Sequence, residues 1–163
     1  MTAIEETGND QPFYMRGNYA PVLDEVEAFD LDVVGAIPQE LNGRFFRNGA
    51  NPPAGVVPTH WFDGDGMLHG IRLRDGKAEW YRNRWIRTKL LAGGQRMDPE
   101  TFEFDLTAGR ANTHVIRHAG RIMALEEASL PMEISPDLET LGAIDFGGKL
   151  TTPCTTHPHV CAE

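Results

Sequence analysis

The residues with the densest chemistry lie near the end of the sequence. Cys154-Thr155-Thr156-His157-Pro158-His159-Val160-Cys161 holds four potential metal ligands. Thiolate and imidazole suit zinc, but structural zinc sites set two ligand pairs apart by a longer loop, whereas these four share one short segment. On an extended strand, His157, His159 and Cys161 fall on one face and Cys154 on the other. Successive same-face side chains then stand about 6–7 Å apart, too far to chelate one ion without a bend. A local zinc module is therefore disfavoured. Two readings stay open: a plain surface or core histidine, and a single ligand given to a site completed by distant strands. Pro158 suits the second, because it holds His157 extended and stiffens its direction.

Other motifs carry less. Asp63-Gly64-Asp65-Gly66 superficially looks like a calcium loop but lacks further oxygen ligands and a closing Glu, so a tight Asp/Gly turn is expected. His60, His69, His114 and His118 are read as packed or exposed histidines in or beside strands. Arg44, Arg47, Arg82, Arg84 and Arg87 are expected to form structural ion pairs rather than stack on bases. There is no glycine-rich phosphate loop and no Gly-x-Ser-x-Gly elbow.

Elements that could position such residues are short and mostly β. Met67, His69, Ile71 and Leu73 alternate with Leu68, Gly70, Arg72 and Arg74, ahead of Asp75-Gly76, a two-residue hairpin turn. An aromatic strand with Trp80, Tyr81 and Trp85 returns. A second hairpin is expected over 113–125, turning at Ala119-Gly120, and a further strand over 141–146. Residues 90–108 read as a long surface loop, and Glu25-Val26-Glu27-Ala28 as the one helix-like patch. Residues 1–11 are expected to be a flexible N-terminus, and 12–163 one domain. The sequence stops in mid-pattern after its most reactive cluster, which would leave a bare sheet edge, so a C-terminally truncated domain is expected.

Composition bounds the partners. In 163 residues, Lys+Arg 15 against Asp+Glu 24 gives a net charge of −9. That argues against nucleic acid and against charge-driven docking on anionic lipid. Two cysteines, no apolar run of membrane-spanning length and an acidic start without signal-peptide layout point to a cytoplasmic protein.

One ordered set of segments is more specific than any of these. It comprises Gly43-Arg44-Phe45-Phe46-Arg47-Asn48-Gly49-Ala50-Asn51-Pro52, His60-Trp61-Phe62-Asp63-Gly64-Asp65-Gly66-Met67-Leu68-His69 and Tyr81-Arg82-Asn83-Arg84-Trp85-Ile86-Arg87-Thr88. Ala111-Asn112-Thr113, Ala124-Leu125-Glu126-Glu127, Leu138-Glu139-Thr140-Leu141-Gly142, Asp145-Phe146-Gly147-Gly148 and Thr156-His157-Pro158-His159 follow. In this order, and over nearly the whole chain from Pro12, the set resembles the carotenoid cleavage oxygenases, a family that includes lignostilbene dioxygenases and the retinoid isomerase of the eye.

The resemblance implies an all-β fold, the N-terminal portion (about two to three blades) of a seven-bladed β-propeller. It implies an axial Fe(II) held by four histidines from different blades. His157 matches the first of them, and Glu127 an acidic residue that orients another ligand histidine through its ring N–H. Neutral imidazoles leave the iron its full charge and an open position. The implied reaction adds dioxygen across an electron-rich double bond of a hydrophobic polyene or stilbene-like substrate, giving two carbonyl products.

The sequence also departs from the family pattern. Only one of the four ligand histidines is matched; His60, His69, His114 and His118 do not match the others. Ala50 stands for a more usual Pro, and Val160-Cys161-Ala162 lacks part of the run toward Gly-Glu. Glu126 stands where lignostilbene-type members tend to have Lys, which favours a carotenoid or apocarotenoid substrate. The isolated chain is expected to be inactive. The alternatives are a stilbene-cleaving enzyme and, from a different class, a non-catalytic β-module or degenerate remnant. Membrane contact is expected only through regions beyond Glu163, and no partner protein is identified.

Overall fold

Two hairpin turns set most of the strand pattern. The computed structural model describes residues 11–159 and residue 161, so the expected flexible terminus lies outside the described residues except for Gln11. Asp75-Gly76 joins β3 (Asp65–Arg74) to β4 (Lys77–Trp85), and Ala119-Gly120 joins β5 (His114–His118) to β6 (Arg121–Leu125). All four turn residues have positive φ, between 48° and 79°, which matches the twist of the flanking strands.

Two antiparallel sheets of four strands result. The first has the order β1-β4-β3-β2, adding β1 (Glu27–Phe29) and β2 (Gly43–Asn51). The second runs β5-β6-β7-β8, adding β7 (Met132–Ile134) and β8 (Thr140–Ala143). Among the described residues there is no α-helix; Phe13–Met15 and Gly17–Tyr19 are single 3₁₀ turns. No helix is long and apolar enough to cross a membrane among the described residues.

The core forms between the sheets. Leu68 and Ile86, with Phe46 against them, meet Ala111, Ala124, Met132, Ile134 and Leu138, flanked by Val115 and Ile122. Strand alternation accounts for this: Val115, Ala124 and Met132 are cross-strand neighbours, so they line up on one face of the second sheet. Edge strands β2 and β5 lie side by side, tied by Asn48, whose Nδ2 donates to the carbonyls of Ala111 (2.7 Å) and His114 (3.1 Å).

Three local expectations are corrected. The helix-like patch at 25–28 is instead the entry to β1. Glu27 takes the guanidinium of Arg82 at 2.7 Å and that of Arg84 at 3.2 Å, so tertiary ion pairs override local propensity. Asp63-Gly64-Asp65-Gly66 is not a tight turn, because β3 starts at Asp65. Its glycines serve close approach: a Cβ on Gly66 would lie 2.5 Å from the Ala111 carbonyl oxygen, and one on Gly64 2.5 Å from the Asn51 nitrogen. The strand expected over 141–146 is Thr140–Ala143.

The ion pairs expected of the arginines form for Arg44 with Asp137, Arg82 and Arg84 with Glu27, and Arg87 with Glu25. Arg47 instead lies directly across β2–β3 from His69.

Candidate functional site

The start of β5 and the end of β6 are neighbours, since His114 is paired with Leu125. Glu126 and Glu127 therefore leave β6 beside His114. The chain returns here over 154–157, where the Cys154 N–H donates to the Ser129 carbonyl at 3.0 Å. Thr156 is completely buried between exposed neighbours. Its Oγ1 donates to Oε1 of Glu127 at 2.9 Å, and its carbonyl lies 2.8 Å from Nδ1 of His114. A carbonyl only accepts, so Nδ1 of His114 is the donor and carries a proton.

His157 follows at a bend, with an exposed ring 6.3 Å, centre to centre, from that of His114. Its N–H donates to Oγ1 of Thr155 at 3.2 Å. Thus the segment is not a strand, and the expected alternation of Cys154 against His157, His159 and Cys161 is not realised. Backbone hydrogen bonds at Cys154, Thr156 and His157 go to loops and side chains rather than to a ladder. Burial raises the pKa of the Cys154 thiol above its ordinary value. Among the described residues, no three His, Cys, Asp or Glu side chains are grouped to hold a metal.

Glu126 points elsewhere. Arg96 Nη2 donates to its Oε1 at 2.6 Å, while the Arg110 N–H (2.9 Å) and the Ser129 hydroxyl (3.1 Å) occupy Oε2. The carboxylate is thereby committed to fastening the 89–108 loop to the β6 end. All three of these hydrogen bonds are internal to this part of the fold.

The remaining histidines divide by environment. His60 lies in a loop, stacked edge-on to Phe62, and His118 is exposed at the end of β5. His69 is half-buried on β3, its Nδ1 2.8 Å from the Tyr81 hydroxyl. Burial, and secondarily the charge of Arg47, push its pKa below the ordinary value.

A separate cleft of about 510 Å³ is lined by Pro52, Pro53, Val56, Leu90 and Arg110, among others, and includes none of His114, Glu127, Thr156 and His157. In it Asp65 pairs with Arg110 at 3.3 Å. Burial raises the Asp65 pKa, and the guanidinium opposes the rise.

Asparagines of the quoted motifs act as surrogate backbone. Asn83, fully buried, accepts the Val26 N–H at 2.6 Å and donates to the Asp24 carbonyl at 2.8 Å. Asn112 donates to the carbonyls of Phe62 and Gly64 at 2.8 and 2.6 Å. These contacts fix the chain at 24–26 and 62–64, a role that spacing does not disclose.

Comparison with known proteins identifies what this frame belongs to. Residues 19–163 match the family model of the retinal pigment epithelial membrane protein, RPE65. The chain belongs to the carotenoid cleavage oxygenase family. A carotenoid cleavage oxygenase of Mycobacterium tuberculosis (strain CDC 1551 / Oshkosh) is 46% identical over 167 residues, covering 97% of this chain and 32% of that protein.

Among solved structures, the lignostilbene dioxygenase of Pseudomonas brassicacearum matches with a TM-score of 0.74 at 30% identity, over 91% of this chain and 34% of that one. Cobalt-substituted Synechocystis ACO matches with a TM-score of 0.68 at 29% identity, over 85% and 33%. The chain therefore spans about a third of the length of the relatives it matches. Its two sheets are propeller blades of the carotenoid cleavage oxygenase fold.

Proposed function

We propose that this chain is the N-terminal part of a non-heme Fe(II)-dependent dioxygenase that cleaves a carbon–carbon double bond of a carotenoid- or apocarotenoid-like substrate. The observation that carries the reading is the ordered family match over residues 19–163, with the His157-Pro158 motif at a bend tied to Glu127 and His114 through Thr156.

The donor set fits one corner of such a centre. His157 presents an imidazole on an exposed ring, and ferrous iron accepts imidazole readily. Glu127 receives the Thr156 hydroxyl at Oε1, and a carboxylate has lone pairs left for a histidine N–H from another blade. The remaining three ligand histidines implied by the family are assigned to chain beyond these residues, so the 163-residue chain alone is expected to be inactive. When bound, the iron supplies activation of dioxygen. The residues of this chain orient it: His157 gives one ligand, and Glu127 fixes a neighbouring imidazole in its tautomer. Overall, one C=C bond and one O₂ become two C=O groups.

A second reading, cleavage of a stilbene-like substrate, is favoured by the match to lignostilbene dioxygenase. Both readings keep the chain in a reducing cytoplasm, in line with the free thiols of Cys154 and Cys161.

The test is to incubate the full-length protein, loaded with Fe(II) in air, with an apocarotenoid and with a hydroxystilbene, and to identify products by mass spectrometry. Two carbonyl fragments from the polyene support the proposal, and fragments from the stilbene alone support the second reading. Iron-loaded protein that cleaves neither overturns both in favour of a non-catalytic module.

A further inference from the structure

We propose that Thr156 is a positioning residue that couples Glu127 to His157, an inference that rests on the functional reading above. Thr156 is wholly buried while Thr155 and His157 on either side are exposed, so its side chain is directed inward by the fold. Its hydroxyl and its carbonyl are each engaged at the candidate site. The hydroxyl holds Glu127 at 2.9 Å, and the carbonyl is held by His114 at 2.8 Å.

Glu127 is exposed and lies beyond the end of β6, so no sheet hydrogen bond fixes its side chain; the hydroxyl selects its rotamer. The His114 bond fixes the peptide that leads into His157. The Thr155 hydroxyl then takes the His157 N–H, and Pro158 restricts its backbone from the other side. The direction in which His157 presents its ring is thus set by Thr156 together with its two partners. A carboxylate free to turn would lose its aim at a ligand histidine, and an unfixed His157 would present its ring over a range of angles.

The test compares wild type, Thr156→Val and Thr156→Ser in the full-length protein. Valine keeps the volume and removes the hydroxyl; serine keeps the hydroxyl. With Co(II) as a spectroscopic probe, T156V is expected to weaken metal affinity by about 10- to 100-fold and to alter the visible band, with T156S restoring both. A wild-type band and affinity in T156V, or a T156S that behaves like T156V, would overturn the role.

A second readout uses metal-free protein with isotope-labelled histidine. Wild type and T156S should each give one sharp His157 ring signal, and T156V a broadened or multiple one. Superimposable signals in all three contradict the proposal. If wild type itself binds no metal, the functional reading fails while this arm still decides the role of Thr156. If T156V does not fold, Glu127→Ala at its exposed position removes the same hydrogen bond, and an unchanged His157 signal there is the contradicting result.

Discussion

Oγ1 of Thr156 donates to Oε1 of Glu127 across 2.9 Å, so the residue before His157 holds the carboxylate at the end of β6. The segment carrying the proposed ligand His157 and the acid proposed to orient a second histidine, 29 positions apart in sequence, are joined by one hydrogen bond. The surrounding blades keep these groups in register, and their contacts lead to the following expectations.

Gly66 sits where β3 runs against the Arg110–Ala111 backbone, and its N–H donates to the Arg110 carbonyl at 2.9 Å. Gly66→Ala places a methyl 2.5 Å from the Ala111 carbonyl oxygen, on backbone that cannot turn aside. The expected cost is about 3 kcal/mol, read from urea denaturation. Unchanged stability would show that β3 and the Arg110–Ala111 backbone are not in this contact.

Asn83 serves two backbone groups that have no strand partner of their own. Asn83→Ala leaves the Val26 N–H and the Asp24 carbonyl without their partner, with an expected loss of about 2–4 kcal/mol and detachment of β1. Hydrogen exchange at the amides of 26–29 checks it, and wild-type protection there would refute it.

Glu126→Lys tests whether this side chain is structural. The structure sets the new ammonium against Arg96 and removes the acceptor of the Arg110 N–H. The expectation is a loss of about 3 kcal/mol and faster proteolysis within the 89–108 loop. A stable E126K protein with a changed substrate preference would show that this side chain acts on substrate choice rather than on the loop.

Acid should weaken the first sheet through His69. Its pKa is lowered in the folded state, by burial and then by Arg47, so the unfolded chain binds the proton more readily. Stability from this group is present above the unfolded value of 6.5 and is lost as pH falls below it. Asp65, raised by burial, works with the opposite sign in the carboxylate range, which confines the comparison to about pH 7.5 against about pH 5. His69→Gln keeps a hydrogen-bonding group for Tyr81 and should flatten that pH dependence of the denaturation midpoint. An equal slope in wild type and variant would contradict it.

Much of this architecture was legible in the sequence because it rests on local chemistry. Asp75-Gly76 and Ala119-Gly120 accept positive φ between strand-like runs, so both hairpins could be read directly; β3 itself is buried on both faces at Met67 and Leu68 rather than on alternate residues. The three-residue β7 was too short to show a period. The strand at Glu27 depends on Arg82 and Arg84, 55 and 57 positions away. At the site, the family pattern marked His157 and Glu127. Thr156 and His114 gave no signal, because their roles consist of contacts across 29 and 42 positions. The partner of Glu126 was hidden for the same reason: Arg96 lies 30 positions away.

The central claim, that His157 is a ligand of an iron centre, is tested most directly by the metal content of the full-length protein and its His157→Ala variant after identical Fe(II) loading. The account predicts about one iron per wild-type chain and a large loss in H157A, with the fold retained because the His157 ring is exposed. Full iron occupancy in a folded H157A protein would contradict it.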